Sequence, residues 1–487
     1  MSLAFFLFGI NALAEDAQMI TPNATSYKAE VFGSVASGDK TPFWMVSNRY
    51  GVVPLEGNNS YLRAGVFHDQ SFGKGFHWNA GLDIITAVPR RHNLYIQQLF
   101  GEIGYKCLLL SIGSKERYRS LWDYDLSSGD MVLSPNARPI PEINISIPTF
   151  TVVPLTKGWM QARGDFAVGR SFDKGYLNHF SKDTLPHIND MLWHHKSFAI
   201  QIKDTKNNFP LSGIIGVQHW AQWGGTSTNP EIGKQPHSFK DFLRVVCGSE
   251  GSSDATISDQ INVLGNQYGS YDFKLTYTHP KWELAVYHQH FFEDKSGMIF
   301  KNKTDGLWGL QLDLPHFSWL RKVVVEYLIT KDQSGPFHFI EFDHDLHPGH
   351  GGGRDDYYNN EEYTSGVSYF NRTLGNPFIL SPEYNEDQYL GFKGNRVKNF
   401  HFGWEGSLSP YVNYRALFSV MNNWGRPTVP FVHKQAGTSS QIDIRYQHPK
   451  LHGWEFSGAI ALDTGSMLGD NFGCCLKIAK RGILKNW

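Results

Sequence analysis

The sequence predicts an all-β fold, a transmembrane antiparallel β-barrel of about 18 strands with long extracellular loops and a short helical insertion. Three observations carry that reading. Several segments alternate residue by residue between apolar and polar side chains, the period of an extended strand. Their apolar faces end in aromatic residues, while their polar faces carry full charges in mid-strand. The connections between them are either very short or very long.

The alternation runs through the chain. Phe76, Trp78, Ala80, Leu82 and Ile84 oppose His77, Asn79, Gly81 and Asp83. Tyr271, Phe273, Leu275 and Tyr277 oppose Asp272, Lys274, Thr276 and Thr278. Val412, Tyr414, Ala416 and Phe418 oppose Asn413, Arg415 and Ser419, and Ile442, Ile444 and Tyr446 oppose Asp443, Arg445 and Gln447. A soluble sandwich also alternates, with its polar face in water. The aromatic ends, Tyr95 and Tyr105 or Tyr271 and Tyr277, instead read as girdles at two bilayer interfaces. The mid-strand charges suit a hydrated lumen.

The connections divide as a barrel requires, with short turns on the periplasmic side and long excursions outside. YTHPKWEL from Tyr277 and its near copy YQHPKLHGWEF from Tyr446 are tight turns between strands. Long insertions run from Ser114 to Asn136, Trp220 to Gln260 and Lys331 to Glu362, lengths that usually serve function. The second insertion holds one helix, with Ser238 as N-cap, Asp241 at the third position, Phe239, Phe242, Leu243 and Val246 along a stripe, and Gly248 at its end. The stripe is expected to pack the helix onto the barrel.

At the N-terminus, Leu3 to Ala14 is a short apolar run closing on Ala12-Leu13-Ala14 before Glu15 and Asp16. This reads as a signal peptide over residues 1–14, without the usual basic start, ahead of a barrel domain over 15–487. No other run approaches the ~18 apolar residues of a membrane helix. At about 26 residues per strand plus loop, the remaining chain accommodates around eighteen strands.

Composition excludes some partners. Lys plus Arg number 45 against 46 Asp plus Glu, so no field gathers nucleic acid, and no nucleic-acid partner is expected. Aromatic residues make up 14% of the chain and glycines number 48, a composition of strands and turns. Cys107, Cys247, Cys474 and Cys475 show no CxxC spacing. They are expected to pack as ordinary residues.

A series of blocks resembles the Wzi family of capsule assembly proteins. In order they are TPFWMVSNRYG from Thr41, IGSKER from Ile112, LSSGDM from Leu126, SPNARPIPEI from Ser134, LWHHKS from Leu192, GRDDYYNNEEY from Gly353 and GNRVKNFHFGWEG from Gly394. They appear in order across nearly the whole mature chain, which makes the match far more specific than any one block. The resemblance implies a bacterial outer-membrane barrel whose extracellular face is lectin-like, attaching or assembling capsular polysaccharide at the cell surface. It brings no catalytic residues. The last segment, GCCLKIAKRGILKNW, runs past the final strand that the resemblance leads one to expect.

Sugar recognition requires carboxylates and amides for hydroxyl pairs and aromatic rings for the C–H faces. Asp355, Asp356, Tyr357, Tyr358, Asn359 and Asn360 supply all three in one loop, and form the first candidate polysaccharide site. The same polar residues could instead brace the loop through turn hydrogen bonds. Asn136 and Arg138, in a loop stiffened by prolines, form the second. Arg138 either presents its guanidinium to an acidic sugar or folds inward onto lumen carboxylates such as Asp83 or Glu102.

No metal or cofactor is expected. FDHDLHPGH from Phe342 offers three histidines and two aspartates but matches no closed zinc template, and His194-His195 reads as structural or interfacial. Nucleophile elbow, HExxH and P-loop motifs are all missing, so an enzyme is not expected. A porin or sugar-transport channel is the alternative function, since its strands alternate in the same way. Capsular polysaccharide and outer-membrane lipid are the expected partners, and the sequence leaves the oligomeric state open.

Overall fold

The structure is a computed structural model that describes residues 22–89, 93–181, 186–206, 209–253, 255–256, 259–260, 263–335 and 354–487. The expected signal peptide and the histidine run Phe342 to His350 lie outside the described residues.

Eighteen strands form the wall: β1 (Ala24–Ala36), β2 (Asn59–Phe72), β3 (Phe76–Val88), β4 (Leu94–Tyr105), β5 (Leu108–Ser114), β6 (Glu142–Val152), β7 (Met160–Arg170), β8 (Leu192–Ile202), β9 (Leu211–Trp223), β10 (Asn266–His279), β11 (Trp282–Phe292), β12 (Gly306–Asp313), β13 (Lys322–Ile329), β14 (Lys398–Ser409), β15 (Val412–Gly425), β16 (Pro430–Gln447), β17 (Trp454–Thr464) and β18 (Asn471–Asn486). Each pairs antiparallel with its neighbours in sequence, and β18 pairs with β1 from Ala24↔Asn486 to Ala36↔Gly473. The sheet is therefore closed and has no free edge. GCCLKIAKRGILKNW, which the resemblance left beyond the last strand, is the strand that closes the barrel.

The period of two decides which residues meet which medium. Leu82, Ile84, Phe273, Leu275, Ile442 and Ile444 point outward and are exposed, while Asp83, Asp272, Arg415 and Arg445 point inward and are buried. A soluble protein would invert this arrangement. Tight turns such as Thr278 to Trp282, the start of β1 at Ala24 and the end of β18 at Asn486 share one end, the turn end, where outward-facing Phe76, Tyr105, Tyr277 and Trp454 are each about half exposed. These form one aromatic girdle. Tyr95 departs from expectation, because an irregularity between Asp83 and Ile84 in the β3–β4 pairing shifts the register and turns its ring inward, beside Arg138.

The long excursions leave from the opposite, loop end. They carry the helices α1 (Phe43–Val46), α2 (Lys174–Phe180), α3 (Phe239–Cys247) and α4 (Lys295–Met298). Two small two-stranded pairings join Ile188–Asn189 to Thr226–Ser227 and Ser368–Tyr369 to Arg372–Thr373. Helix α3 has the expected capping box, in which Ser238 accepts from the Asp241 N–H and Asp241 accepts from the Ser238 N–H, and Gly248 ends it in the left-handed region. Its packing face is rotated from the expected stripe. Phe242 and Val245 turn to the barrel, whereas Phe239 and Leu243 are exposed.

Candidate functional site: the plugged loop end of the barrel

Three excursions, 37–58, 115–141 and 354–397, fold into the lumen and interlock. Apolar residues from all three, including Phe43, Trp44, Trp122, Met131, Tyr358 and Phe378, build one core inside the wall. Trp122 stacks on Tyr287 of β11 at 4.5 Å, and the Tyr287 hydroxyl donates to Glu326 of β13. Gly309 of β12 makes room for that ring, since a Cβ there would lie 2.0 Å from it.

The excursion SKERYRSLWDYDLSSGD is fastened to the wall by charge. Lys115 and Arg117 reach Glu102 at 2.6 and 3.1 Å, and Glu116 reaches Arg63 at 2.7 Å. Arg119 pairs with Glu142 and Asp165, and Asp123 with Lys322 at 2.6 Å. Asp130 accepts from Gln289 and Gln218 at 2.9 and 3.1 Å. Buried charges are tolerable only when paired in this way, so the alternating charges of the loop and the inward charges of the strands require one another. His195 belongs to the same network, 2.8 Å from Glu142 and 3.0 Å from Asp165 and stacked on Trp220, a structural role as expected.

The two candidate sugar-binding groups lie in this plug. Tyr357 and Tyr358 are fully buried. Asn302 donates to the Tyr357 hydroxyl at 2.8 Å, and the Tyr358 hydroxyl donates to the Met131 carbonyl while accepting from the Asn376 N–H at 3.1 Å. No ring face of either is open for stacking on a sugar. Asp355 is buried and accepts from the Ser334 hydroxyl at 2.9 Å. Burial and the neighbouring Asp294 push its carboxyl up to about 8, and Glu293, which accepts from the Tyr358 N–H at 2.6 Å, is also raised by burial and by Asp355.

Asp356, Asn359 and Asn360 are half-buried. Asp356 accepts from Arg426 at 2.8 Å and Asn395 at 2.6 Å, and Asn359 clasps Phe392 through its N–H and carbonyl at 2.8 and 3.0 Å. Asn360 caps a turn by accepting from the Glu362 and Tyr363 N–H groups, both at 3.0 Å. These are the bracing contacts that the sequence left as the alternative. Asn136 is buried, accepting from the Asn48 N–H at 3.1 Å and donating to the Thr373 carbonyl at 3.1 Å, so it ties the three excursions together.

Arg138 makes neither inward ion pair. Asp83 is held by Arg63 and Lys28, and Glu102 by Lys115 and Arg117. The Arg138 guanidinium instead lies between the rings of Tyr95 and Phe370, at 4.2 and 4.4 Å, and donates to the Ile96 carbonyl at 2.8 Å.

A family model described as Capsule assembly protein Wzi matches residues 45–379, a span that runs from within the first excursion through the second and twelve strands of the wall to midway along the third. The chain belongs to the Wzi capsule assembly family. In shape it is similar to the Escherichia coli outer-membrane protein Wzi, described as a carbohydrate-binding β-barrel involved in group 1 capsule assembly. That likeness has a TM-score of 0.58 at 12% identity and covers 93% of this chain and 83% of that one. Pseudomonas aeruginosa OccK5 (OpdH) is similar at TM-score 0.47 and 9% identity, covering 95% and 98% of the two chains. Acinetobacter baumannii OccAB4 is similar at 0.47 and 10%, covering 95% and 99%. No curated protein sequence matches.

This Wzi-family barrel is an outer-membrane protein, so its turn end is periplasmic and its loop end extracellular. The family is one of capsule assembly rather than of enzymes. At the extracellular rim the structure adds Tyr389 and Arg426 to the candidates, with the Arg426 guanidinium 3.0 Å from the Tyr389 hydroxyl and bonded to Asp356. Asp356 and Arg426 are 70 positions apart, and no motif links them in the sequence. On the periplasmic side of the plug a cavity of about 120 Å³ remains, lined by Tyr50, Arg63, Glu116, Asp125, Arg415 and Asp443 among others.

Proposed function

We propose that the protein is a lectin-like anchor, holding capsular polysaccharide at the cell surface on the extracellular face of the plug. The observation that carries this reading is the plug itself. Three interlocked excursions, the second of them zipped to the wall by buried ion pairs, leave a fixed outward surface in place of a wide channel, which favours binding over the porin alternative. The likeness to a barrel described as carbohydrate-binding supports the same reading.

Within that surface, Asp356, Asn359, Asn360, Tyr389 and Arg426 meet the sugar, while Tyr357, Tyr358, Asp355 and Asn136 form the frame beneath them. Arg138 holds the rim through its two rings. Tyr389 is partly exposed at this rim and is not one of the bracing residues, so Tyr389→Ala leaves the frame in place. Cell-bound and released polysaccharide are compared at matched amounts of heat-modifiable barrel. Each lost contact is worth roughly 1–2 kcal/mol, so capsule is expected to move into the medium. Normal retention by the folded variant would remove this rim from the sugar site.

A further inference from the structure

The outward apolar faces of the strands stop early on one side of the barrel. On β8 the outward series runs from Ile202 and Phe198, both exposed, to Lys196 and His194, and on β9 from Leu211, Ile215 and Val217 to His219. On β11, exposed Val286 is followed by His288 and His290. Bare polar groups at that height would interrupt the band that a bilayer requires.

They are not bare. Helix α3 lies against the outside of the wall over β7 to β9, with the Phe242 ring 6.3 Å from Phe166, 5.6 Å from His194 and 5.6 Å from Trp223. The Lys196 ammonium donates to the Val246 carbonyl in the last turn of the helix. Over β10 and β11, the segment after α4 does the same. Phe300 lies 4.4 Å from His290 and 5.7 Å from Tyr271, and His290 bonds to the Gly297 carbonyl at 2.9 Å.

Having covered His194 and His290, both elements present apolar side chains outward. Phe239 is 75% exposed, Leu243 48%, Ile299 56% and Phe300 50%, against 50% for Phe198 on the band below. Lys240 and Lys295, both exposed, flank these side chains, and Asp241 is turned in to the cap. An apolar face bordered by lysines and continuous with the lipid-facing band fits the boundary between acyl chains and anionic headgroups.

We propose that α3 and the α4 segment form an external collar that sits in the outer leaflet and binds its phosphorylated acyl glycolipid, with Phe239, Leu243, Ile299 and Phe300 among the acyl chains and Lys240 and Lys295 on the phosphates. This anchorage is separate from the polysaccharide face of the plug.

Two measurements on the full chain in nanodiscs test it. In a protein with Cys107, Cys247, Cys474 and Cys475 replaced by serine, a nitroxide is placed at Phe239→Cys and, as reference, at Leu275→Cys on the band. Both labels are expected to meet oxygen more readily than a water-soluble nickel chelate, and a Phe239→Cys label that prefers nickel overturns the seating. Native mass spectrometry then follows retention of lipid A against phosphatidylglycerol, with inorganic phosphate as competitor. Preferential retention of lipid A, insensitive to phosphate and weakened roughly tenfold or more by Lys240→Gln with Lys295→Gln, is expected for two near-surface lysines. Equal retention of the two lipids, displacement by free phosphate, or an unchanged ratio in the variant overturns the glycolipid site.

Discussion

Glu116 of the plug lies 2.7 Å from Arg63 of β2, with both side chains buried. Arg63 also holds Asp83, so one guanidinium neutralises a carboxylate of the wall and one of the plug. Arg63→Ala leaves two buried carboxylates short of a partner and should cost about 3–5 kcal/mol. Arg63→Lys keeps the charge but loses the fork, and should cost less. Thermal unfolding in detergent checks the order, and equal stability of all three proteins would contradict the clamp.

The plug also predicts electrical behaviour. Wild-type barrels in a planar bilayer should show little conductance, because three excursions occupy the lumen. Replacing residues 116–134 with a short flexible linker should open stable steps of conductance. Large steps from the wild type would revive the porin reading.

The outward band should be graded in depth. Ile460, at the middle of β17 and 52% exposed, should cost about 2–4 kcal/mol when changed to Arg, whereas Leu275, four residues from the periplasmic turn, should cost less when changed likewise. Refolding into lipid vesicles measures both. Equal costs would mean that the membrane does not lie where the band places it.

At the extracellular end, the raised carboxyl of Asp355 makes the plug sensitive to pH. Its folded value of about 8 lies above its ordinary 3.8, so between these limits the folded state holds a proton that the unfolded state has lost. Stability from this group is therefore full below about pH 4 and declines as pH rises to about 8. Protease nicking within 354–397 should rise over that window, and Asp355→Asn should flatten the response. A slope unchanged by Asp355→Asn would assign it elsewhere.

Helix α3 rests on its cap. Ser238→Ala removes the acceptor for the Asp241 N–H and should cost about 1 kcal/mol, read as faster hydrogen exchange confined to residues 239–247 while the wall stays protected.

The wall was legible because its information is local. In Phe76 to Ile84 or Tyr271 to Thr278, the side chains alternate with the pleat, so each strand declares its own inner and outer face without reference to its partners. The capping box at Ser238 is equally local, with its partners three residues apart. The plug is not of this kind. Tyr357 and Tyr358 carry the residue type that stacks on sugars, yet contacts with Phe291, Phe392 and Met131 bury them, and none of those neighbours is near in sequence. Arg138 was drawn toward Asp83 and Glu102 by charge alone, but Arg63 and Lys115 reach those carboxylates first. By itself the sequence determined that this chain is a barrel, where helix α3 begins and which strand faces point outward, because period, caps and turns act over a few residues. Only the tertiary structure decided which polar and aromatic residues remain outside, because burial within the lumen depends on charges and rings brought together from distant excursions.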